Sequence, residues 1–161
     1  MEAGVSLADD VIGALRTAGA TVATGESLTG GLVCATLINV PGASDVVLGG
    51  VVAYAVEAKI ELLDVDAELI EDRGTVDPDV AAQMAFGAQE RFNATYGVST
   101  TGVAGPGESE GKPAGSVHIA IAGPDGVRTT ALQLDGGRHE VRNQTVDALL
   151  AELVARVREE T

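Results

Sequence analysis

Aromatic side chains and positive charges are both scarce in this sequence. Of its 161 residues only 2% are aromatic, and tryptophan is absent. A core with so few rings must be filled by Val, Ala, Leu and Ile, which favours close packing of small side chains over a deep aromatic pocket. Because 45% of the residues are hydrophobic, an intrinsically disordered chain is excluded.

Lysine is rarer still, since Lys59 and Lys112 are the only two in the sequence. Ten basic residues stand against 24 acidic ones, which gives a net charge of −14. A chain this acidic has no general attraction for nucleic acid or for an anionic membrane, so neither is expected as a partner. The imbalance is typical of proteins from salt-rich cytoplasms, where a Debye length of about 3 Å screens self-repulsion. We therefore expect a halophilic, cytoplasmic protein, with an ordinary acidic protein as the alternative.

Cysteine occurs once, which excludes an internal disulfide and predicts that Cys34 is a small buried core residue. The amino terminus, Met1–Gly4, lacks the basic region of a signal peptide. The uncharged stretch 27–44 is interrupted by glycines and a proline, so no membrane span is predicted. His118 and His139 are not spaced as metal ligands, and the sequence predicts no metal site.

Apolar spacing and chain breakers predict one domain, 1–161, in which helices and strands alternate before a late hairpin. Asp77 is the expected N-cap of the helix at 79–94, and either Ser6 or Ala8–Asp10 marks the start of the first helix. The glycine- and valine-rich strand 46–55 is expected to be buried. This order predicts an α/β fold, a three-layer α/β/α sandwich with a mixed, mostly parallel central sheet and a late antiparallel hairpin. The predicted helices are 6–18, 29–39, 57–63, 67–73, 79–94 and 137–160, and the predicted strands are 20–24, 46–55, 97–103, 116–122 and 127–134.

Two glycine-rich loops are candidate ligand sites. Gly25–Gly31 opens a predicted helix, so its backbone N–H groups and the hydroxyls of Ser27 and Thr29 are suited to hold a phosphate. An N-cap with a flexible turn is the alternative reading of that loop. The glycines of Thr100–Gly107 allow a backbone to approach a ligand closely, although ordinary turn chemistry also explains them.

A third loop, Pro41–Ser44, precedes the strand that holds Tyr54 and the helix that holds Lys59. Taken singly, such residues are more often a cap, a core residue and a solvated lysine. Together they can form a nucleophile with its base that needs no metal, provided that burial or a neighbouring cation lowers the pKa of the lysine.

Six motifs in the same order carry a resemblance along nearly the whole chain. They are Gly25–Gly31, Pro41–Ser44, Gly49–Lys59, Gly74–Val76, Thr101–Pro106 and Lys112–Gly115. With them the sequence resembles the CinA C-terminal domain family, the nicotinamide-nucleotide amidohydrolases. The resemblance implies an enzyme that hydrolyses the carboxamide of nicotinamide mononucleotide (NMN), which yields nicotinate mononucleotide and ammonia. It also implies that no cofactor is used and that the protein is a homo-oligomer.

The resemblance assigns roles to individual residues. Ser44 would be the nucleophile that attacks the amide carbon, and Tyr54 and Lys59 would activate it. An arginine near the start of the last helix belongs to the family pattern, and both Arg138 and Arg142 fit it. The implied substrate-binding residues are Ser27, Thr29, Gly30, Gly31, Thr101, Gly102, Arg138 and Arg142.

Two positions depart from the family pattern. Val56 stands where the family usually has Asn, and Gly25 where it usually has Ala. Valine cannot make the side-chain hydrogen bonds of an asparagine. Two alternatives to an NMN deamidase therefore stay open: a non-catalytic nucleotide-binding or regulatory module, and an amidase that acts on a different nucleotide-like amide.

Overall fold

The computed structural model describes residues 5–161, so the prediction about Met1–Gly4 lies outside the described residues. Within that range the chain forms six α-helices and five β-strands. In chain order these are α1 Leu7–Ala18, β1 Val22–Glu26, α2 Leu32–Ile38, β2 Val47–Val52, α3 Val56–Leu63, α4 Ala67–Arg73, α5 Pro78–Phe92, β3 Tyr96–Gly102, β4 Ser116–Gly123, β5 Gly126–Gln133 and α6 Arg138–Glu159.

The five described strands form one sheet in the order β2-β1-β3-β4-β5. β1 pairs in parallel with β2 and with β3, whereas β4 pairs antiparallel with β3 and with β5. β4 therefore runs opposite to the other four, and it forms a hairpin with β5 whose last pair is Gly123 and Gly126. The predicted mixed, mostly parallel sheet with a late hairpin is confirmed.

Helices cover both faces of the sheet. On one face α1, α2 and α6 bury a cluster that includes Leu15, Leu37 and Leu153. On the other face α3, α4 and α5 pack around Leu63 and Met84. The predicted three-layer α/β/α sandwich is therefore confirmed.

Small residues bring α5 close to the sheet. The cluster between α5 and β4 consists of alanines, Ala81 and Ala85 facing Ala120 and Ala122. On β3, a Cβ placed on Gly97 would lie 2.1 Å from the carbonyl oxygen of Ala85. A backbone can approach another this closely only at glycine. The molecule thus fills its interior by short interlayer distances, as a chain poor in aromatic residues requires.

Side-chain caps define the starts of α1 and α5. The Ser6 hydroxyl accepts the N–H of Asp9 at 3.2 Å, and the Asp9 carboxylate accepts the N–H of Ser6 at 3.0 Å, which completes a capping box. At α5 the Asp77 carboxylate accepts the N–H of Asp79 at 2.8 Å, and Pro78 occupies the first turn. The predicted cap Asp77 is confirmed, and of the two candidates at the first helix start the N-cap is Ser6.

The prediction that the strand at 46–55 is buried is wrong. β2 is an edge strand whose residues alternate between half-buried and exposed, and Leu48 and Val52 are exposed. Glycine and β-branched residues are compatible with either position, so composition alone did not distinguish an edge from the centre. Cys34, predicted to be buried, is half-buried, and that burial raises the pKa of its thiol.

None of the helices within residues 5–161 combines the length and the hydrophobicity needed to cross a membrane.

Candidate active site

A cavity of about 340 Å³ lies at the carboxyl ends of the parallel strands. Ser27 and Leu28 line it from the loop after β1, residues 102–109 line it from the end of β3 and the following loop, and Tyr54 and Arg138 complete its wall. Open α/β sheets bind their ligands at this edge, because the loops there are free to vary in sequence. The volume is within the range of small-molecule sites.

A buried lysine contacts the serine of this cavity. Lys59 is only 2% exposed, and its Nζ lies 3.0 Å from Ser27 Oγ and 3.0 Å from the carbonyl oxygens of Ala53 and Tyr54. These three contacts correspond to the three N–H directions of an ammonium group. Because a carbonyl oxygen can only accept, a neutral Lys59 would donate its two N–H groups to the carbonyls. Its lone pair would then face the hydroxyl of Ser27.

The surroundings of Lys59 favour that neutral form. Burial lowers the pKa of Lys59 from its ordinary value, while the carboxylate of Glu110 acts in the opposite direction. A lysine with a lowered pKa can serve as a general base, and a serine within hydrogen-bond reach is the group that such a base would activate. Ser27 and Lys59 therefore have the geometry of a nucleophile and its base.

Ser44, the predicted nucleophile, lies elsewhere. It is exposed in a 3-10 turn at Ala43–Asp45, before the start of β2, whereas Tyr54 and Lys59 follow the end of that strand. Six residues of extended chain separate the two ends by roughly 20 Å. Ser44 lines a different, shallow cavity together with Ile38 and Leu48. The predicted grouping of Ser44 with Tyr54 and Lys59 is corrected accordingly.

Tyr54 reaches the site in two ways. Its backbone carbonyl accepts the Lys59 Nζ–H, and its side chain, which is 63% exposed, lines the cavity wall. The phenol oxygen lies 3.1 Å from a guanidinium nitrogen of Arg138, which donates to it. The hydroxyl of Tyr54 is thus paired with an arginine and not with Ser27 or Lys59.

The two candidate arginines occupy different positions. Arg138 lines the cavity and donates to Tyr54 Oη and, at 2.7 Å, to the carbonyl of Gly105. Arg142, one helical turn later, donates to the carbonyls of Leu28 and Thr29 at 2.8 and 3.1 Å. Arg138 therefore faces the ligand space, whereas Arg142 holds the backbone of the loop after β1.

Of the predicted binding residues other than Ser27 and the arginines, one lines the cavity and the rest lie in the surrounding structure. Gly102 lines the cavity beside Ser27, but Thr29 and Thr101 are fully buried. The Thr101 hydroxyl donates to the carbonyl of Thr75 at 2.8 Å. Gly30 and Gly31, with φ of +57° and +97°, shape the turn that leads into α2.

Glu26 and Thr100 were not predicted, although both contact the same loop. Glu26 ends β1 with a carboxylate that is 1% exposed, and Thr100, fully buried on β3, accepts the N–H of Ser27. A lone carboxylate directly before Ser27, at the end of a strand with no other charged residue, was a signal that the sequence contained.

Within the described part of the chain, no group of three or more His, Cys, Asp or Glu side chains is arranged to hold a metal ion.

Comparison with known proteins gives one family. A sequence model described as the CinA C-terminal domain matches residues 5–157. A CinA-like protein of Frankia casuarinae is 47% identical over 152 residues, which is 94% of this chain and 35% of that protein. A CinA-like protein of Anaeromyxobacter dehalogenans is 48% identical over 86% of this chain and 34% of its own length. The chain thus spans about a third of these relatives.

Solved structures agree with the sequence matches. The competence/damage inducible protein CihA from Agrobacterium tumefaciens aligns with a TM-score of 0.89 and 38% identity, over 96% of this chain and 98% of that one. A CinA superfamily protein from Klebsiella pneumoniae aligns with a TM-score of 0.92 and 29% identity, over 95% of this chain and 96% of that one.

Proposed function

Since this chain belongs to the CinA C-terminal domain family, we propose that it deamidates nicotinamide mononucleotide to nicotinate mononucleotide and ammonia, with Ser27 as the nucleophile. The observation that carries the proposal is the contact between Lys59 Nζ and Ser27 Oγ at 3.0 Å, beside a cavity large enough for a small molecule. The same contact supports an acyl-transfer mechanism for any amide that fits the cavity.

The reaction begins with proton transfer between these two residues. Neutral Lys59 takes the proton of Ser27 Oγ while that oxygen bonds to the carboxamide carbon of the substrate. When the C–N bond of the tetrahedral intermediate breaks, the Lys59 ammonium returns the proton to the leaving nitrogen, which departs as ammonia. Water then attacks the acyl carbon, Lys59 takes its proton, and Ser27 Oγ leaves with that proton as nicotinate mononucleotide is released.

The charged groups of the cavity set the orientation of the nucleotide. We assign the substrate phosphate to Arg138, which lines the cavity, rather than to Arg142, which is not among the lining residues. The N–H of Ser27 is donated to Thr100 O at 3.0 Å. We therefore assign the developing oxyanion to N–H groups of other residues that line the cavity, Leu28 and Ala104.

The test compares two serine variants by the ammonia that they release from NMN at high salt. We expect Ser27→Ala to lose turnover by a factor of about a thousand or more, because the acyl-enzyme can no longer form. Ser44→Ala is the matched control and should keep the wild-type rate, since Ser44 lies at the opposite end of β2. Turnover that depends on Ser44 and not on Ser27 would refute the assignment.

A second candidate function is a nucleotide-binding module without turnover, and Val56 favours it. This residue begins α3, the helix of Lys59, and its side chain is 40% exposed where the family pattern has an amide. Calorimetry separates the two functions, because a binding module takes up NMN with measurable heat and releases no ammonia. Turnover of another nucleotide-like amide in place of NMN would identify the site as an amidase of different specificity.

The assembly of the protein is a further part of the proposal. We propose a homo-oligomer, as the family pattern implies, and analytical ultracentrifugation at high salt would measure its size. Because the chain spans only about a third of its curated relatives, the activity and partners of those longer proteins do not transfer to it directly.

A further inference from the structure

Glu26 is a buried carboxylate that the reaction does not use. It is 1% exposed, and none of the ion pairs within residues 5–161 includes it. Four hydrogen bonds hold it instead. Its Oε1 accepts from the Thr29 hydroxyl at 2.6 Å and the Val33 N–H at 2.8 Å, and its Oε2 accepts from the Thr24 hydroxyl at 3.2 Å and the Cys34 N–H at 3.0 Å. Burying a carboxylate is costly, which points to a role for Glu26 beyond packing.

This carboxylate sets the direction of a chain of hydroxyl groups. The Thr29 hydroxyl donates to Glu26 Oε1, so its single proton is committed to that carboxylate. The 2.8 Å contact between the Thr29 and Thr100 hydroxyls must then be donated by Thr100. The Thr100 oxygen is left as an acceptor, and it receives the backbone N–H of Ser27 at 3.3 Å. One ordered chain therefore runs from the carboxylate to the amide of Ser27.

This chain of hydrogen bonds ends at Ser27, the residue whose position matters most to the proposed reaction. It directs the Ser27 N–H toward β3, where the carbonyl of Thr100 also accepts it at 3.0 Å, and away from the ligand space. With the backbone held on that side, the hydroxyl of Ser27 stays 3.0 Å from Lys59 Nζ. Small displacements of a reacting group are costly, and about 1 Å is enough to slow a reaction roughly a hundredfold.

We propose that Glu26 is a positioning residue that acts through Thr29 and Thr100 to fix the backbone of Ser27 against β3. Its kinetic consequence rests on the proposed function, but the contact itself does not. The proposal explains why a carboxylate stands at the end of β1, where a neutral residue would be cheaper to bury.

The structure offers a matched control for this proposal. Thr24 and Thr29 are both fully buried, and both donate a hydroxyl to the carboxylate of Glu26. Only Thr29 also contacts Thr100 and thereby connects to Ser27. Replacing either threonine by valine removes one donor to the same buried carboxylate and keeps the side-chain shape. Only Thr29→Val thus breaks the chain of hydrogen bonds to Ser27, and Thr24→Val leaves it intact.

The experiment measures kcat and KM for ammonia release from NMN, together with melting temperatures. We expect Thr29→Val to lower kcat by about 10- to 100-fold while KM changes by less than about twofold. Thr24→Val should lower the melting temperature about as much as Thr29→Val does, but its kcat should stay within about twofold of the wild-type value. Thr29→Ser keeps the hydroxyl and should therefore keep the wild-type rate. Thr100→Val should resemble Thr29→Val, and the double variant should be little slower than either, because both break one chain.

A measurement that needs no substrate separates this inference from the proposed function. Proton–nitrogen correlation spectra follow the hydrogen exchange of the Ser27 amide, which should quicken in Thr29→Val and stay slow in Thr24→Val. Wild-type protein that releases no ammonia would refute the proposed function, and the exchange of Ser27 would still decide the positioning role. Equal effects of the two valine variants on kcat, or an unchanged Ser27 exchange rate in Thr29→Val, would overturn it.

Discussion

In the proposed reaction, the protonation state of Lys59 determines whether Ser27 has a base. Its Nζ is enclosed by Ser27 Oγ and two backbone carbonyls, and none of these three neighbours carries a full negative charge. Burial therefore lowers the pKa of Lys59, and only the carboxylate of Glu110 opposes the shift. The fold supplies hydrogen bonds that suit both protonation states, and burial shifts the balance between them toward the neutral one.

The rate of ammonia release should follow the titration of Lys59. In the proposed mechanism the neutral amine is the active form, so kcat/KM should rise with pH through the lowered pKa of Lys59 and then reach a plateau. Glu110→Gln removes the charge that favours the ammonium, so its rise should occur at lower pH than in the wild type. A profile measured between pH 5 and pH 10, on the wild type and on the variant, checks both the direction of the rise and the direction of the shift.

The control for this prediction is Glu61→Gln. Glu61 is an exposed carboxylate on the same helix as Lys59, so its effect is screened by solvent and salt. Its removal should leave the pH profile of kcat/KM unchanged. A profile of Glu110→Gln that shifts to higher pH, or not at all, would contradict the assignment of Lys59 as the base.

Among the secondary-structure elements, the close contact between α5 and β3 sets the distance between this helix and the sheet. Gly97→Ala would place a methyl group 2.1 Å from the carbonyl oxygen of Ala85, so helix and strand must separate. We expect a loss of about 3 kcal/mol in the free energy of unfolding, measured by chemical denaturation at high salt. Gly13→Ala is the control: it lies inside α1 with no atom near its added methyl, and it should stabilise the protein by about 0.5–1 kcal/mol. A neutral Gly97→Ala would show that α5 packs more loosely.

The sequence predicted the elements well because local signals determine them. Every predicted helix and strand lies within three residues of its observed bounds. The largest error in a helix start is at α2, which begins at Leu32 and not at Thr29, because Gly30 and Gly31 adopt positive φ angles that no α-helix contains. Caps and breakers act over a few residues, so a single sequence carries that information.

The site was predicted less well because its contacts connect distant parts of the chain. The Lys59–Ser27 contact joins residues 32 apart, and the Thr29–Thr100 contact joins residues 71 apart. The motifs included both Ser27 and Lys59 among the candidates, but only the parallel pairing of β1 with β2 shows which serine lies beside the lysine. Ser44 is near Lys59 in sequence, but β2 lies between them, so the two residues are at opposite ends of that strand.

The molecule as a whole carries many more acidic than basic side chains. Among the described residues five arginines form ion pairs, and these pairs take up six of the 24 acidic side chains. Most of these pairs are at the surface, where each contributes little to the free energy of unfolding. The remaining carboxylates repel one another, and this repulsion favours the expanded, unfolded chain.

Salt should therefore stabilise the fold by screening this repulsion. The Debye length falls from about 10 Å at 0.1 M to about 3 Å at 1 M salt, so most of the gain is expected over that range. We expect the melting temperature to rise by about 10 °C between 0.1 and 2 M KCl, which for a domain of this size corresponds to several kcal/mol. Thermal unfolding followed by circular dichroism at a series of KCl concentrations measures this melting temperature. A melting temperature that does not depend on salt would identify an ordinary acidic protein.

A charge variant separates screening from a general effect of salt on hydrophobic burial. Helix α4 carries three exposed carboxylates, Glu68, Glu71 and Asp72, that can be changed together to their amides. If repulsion is the cause, this triple variant should melt at higher temperature than the wild type in 0.1 M KCl and at the same temperature in 2 M KCl. An equal difference at both concentrations would mean that salt acts through exclusion from the apolar surface, since that contribution does not depend on the number of carboxylates.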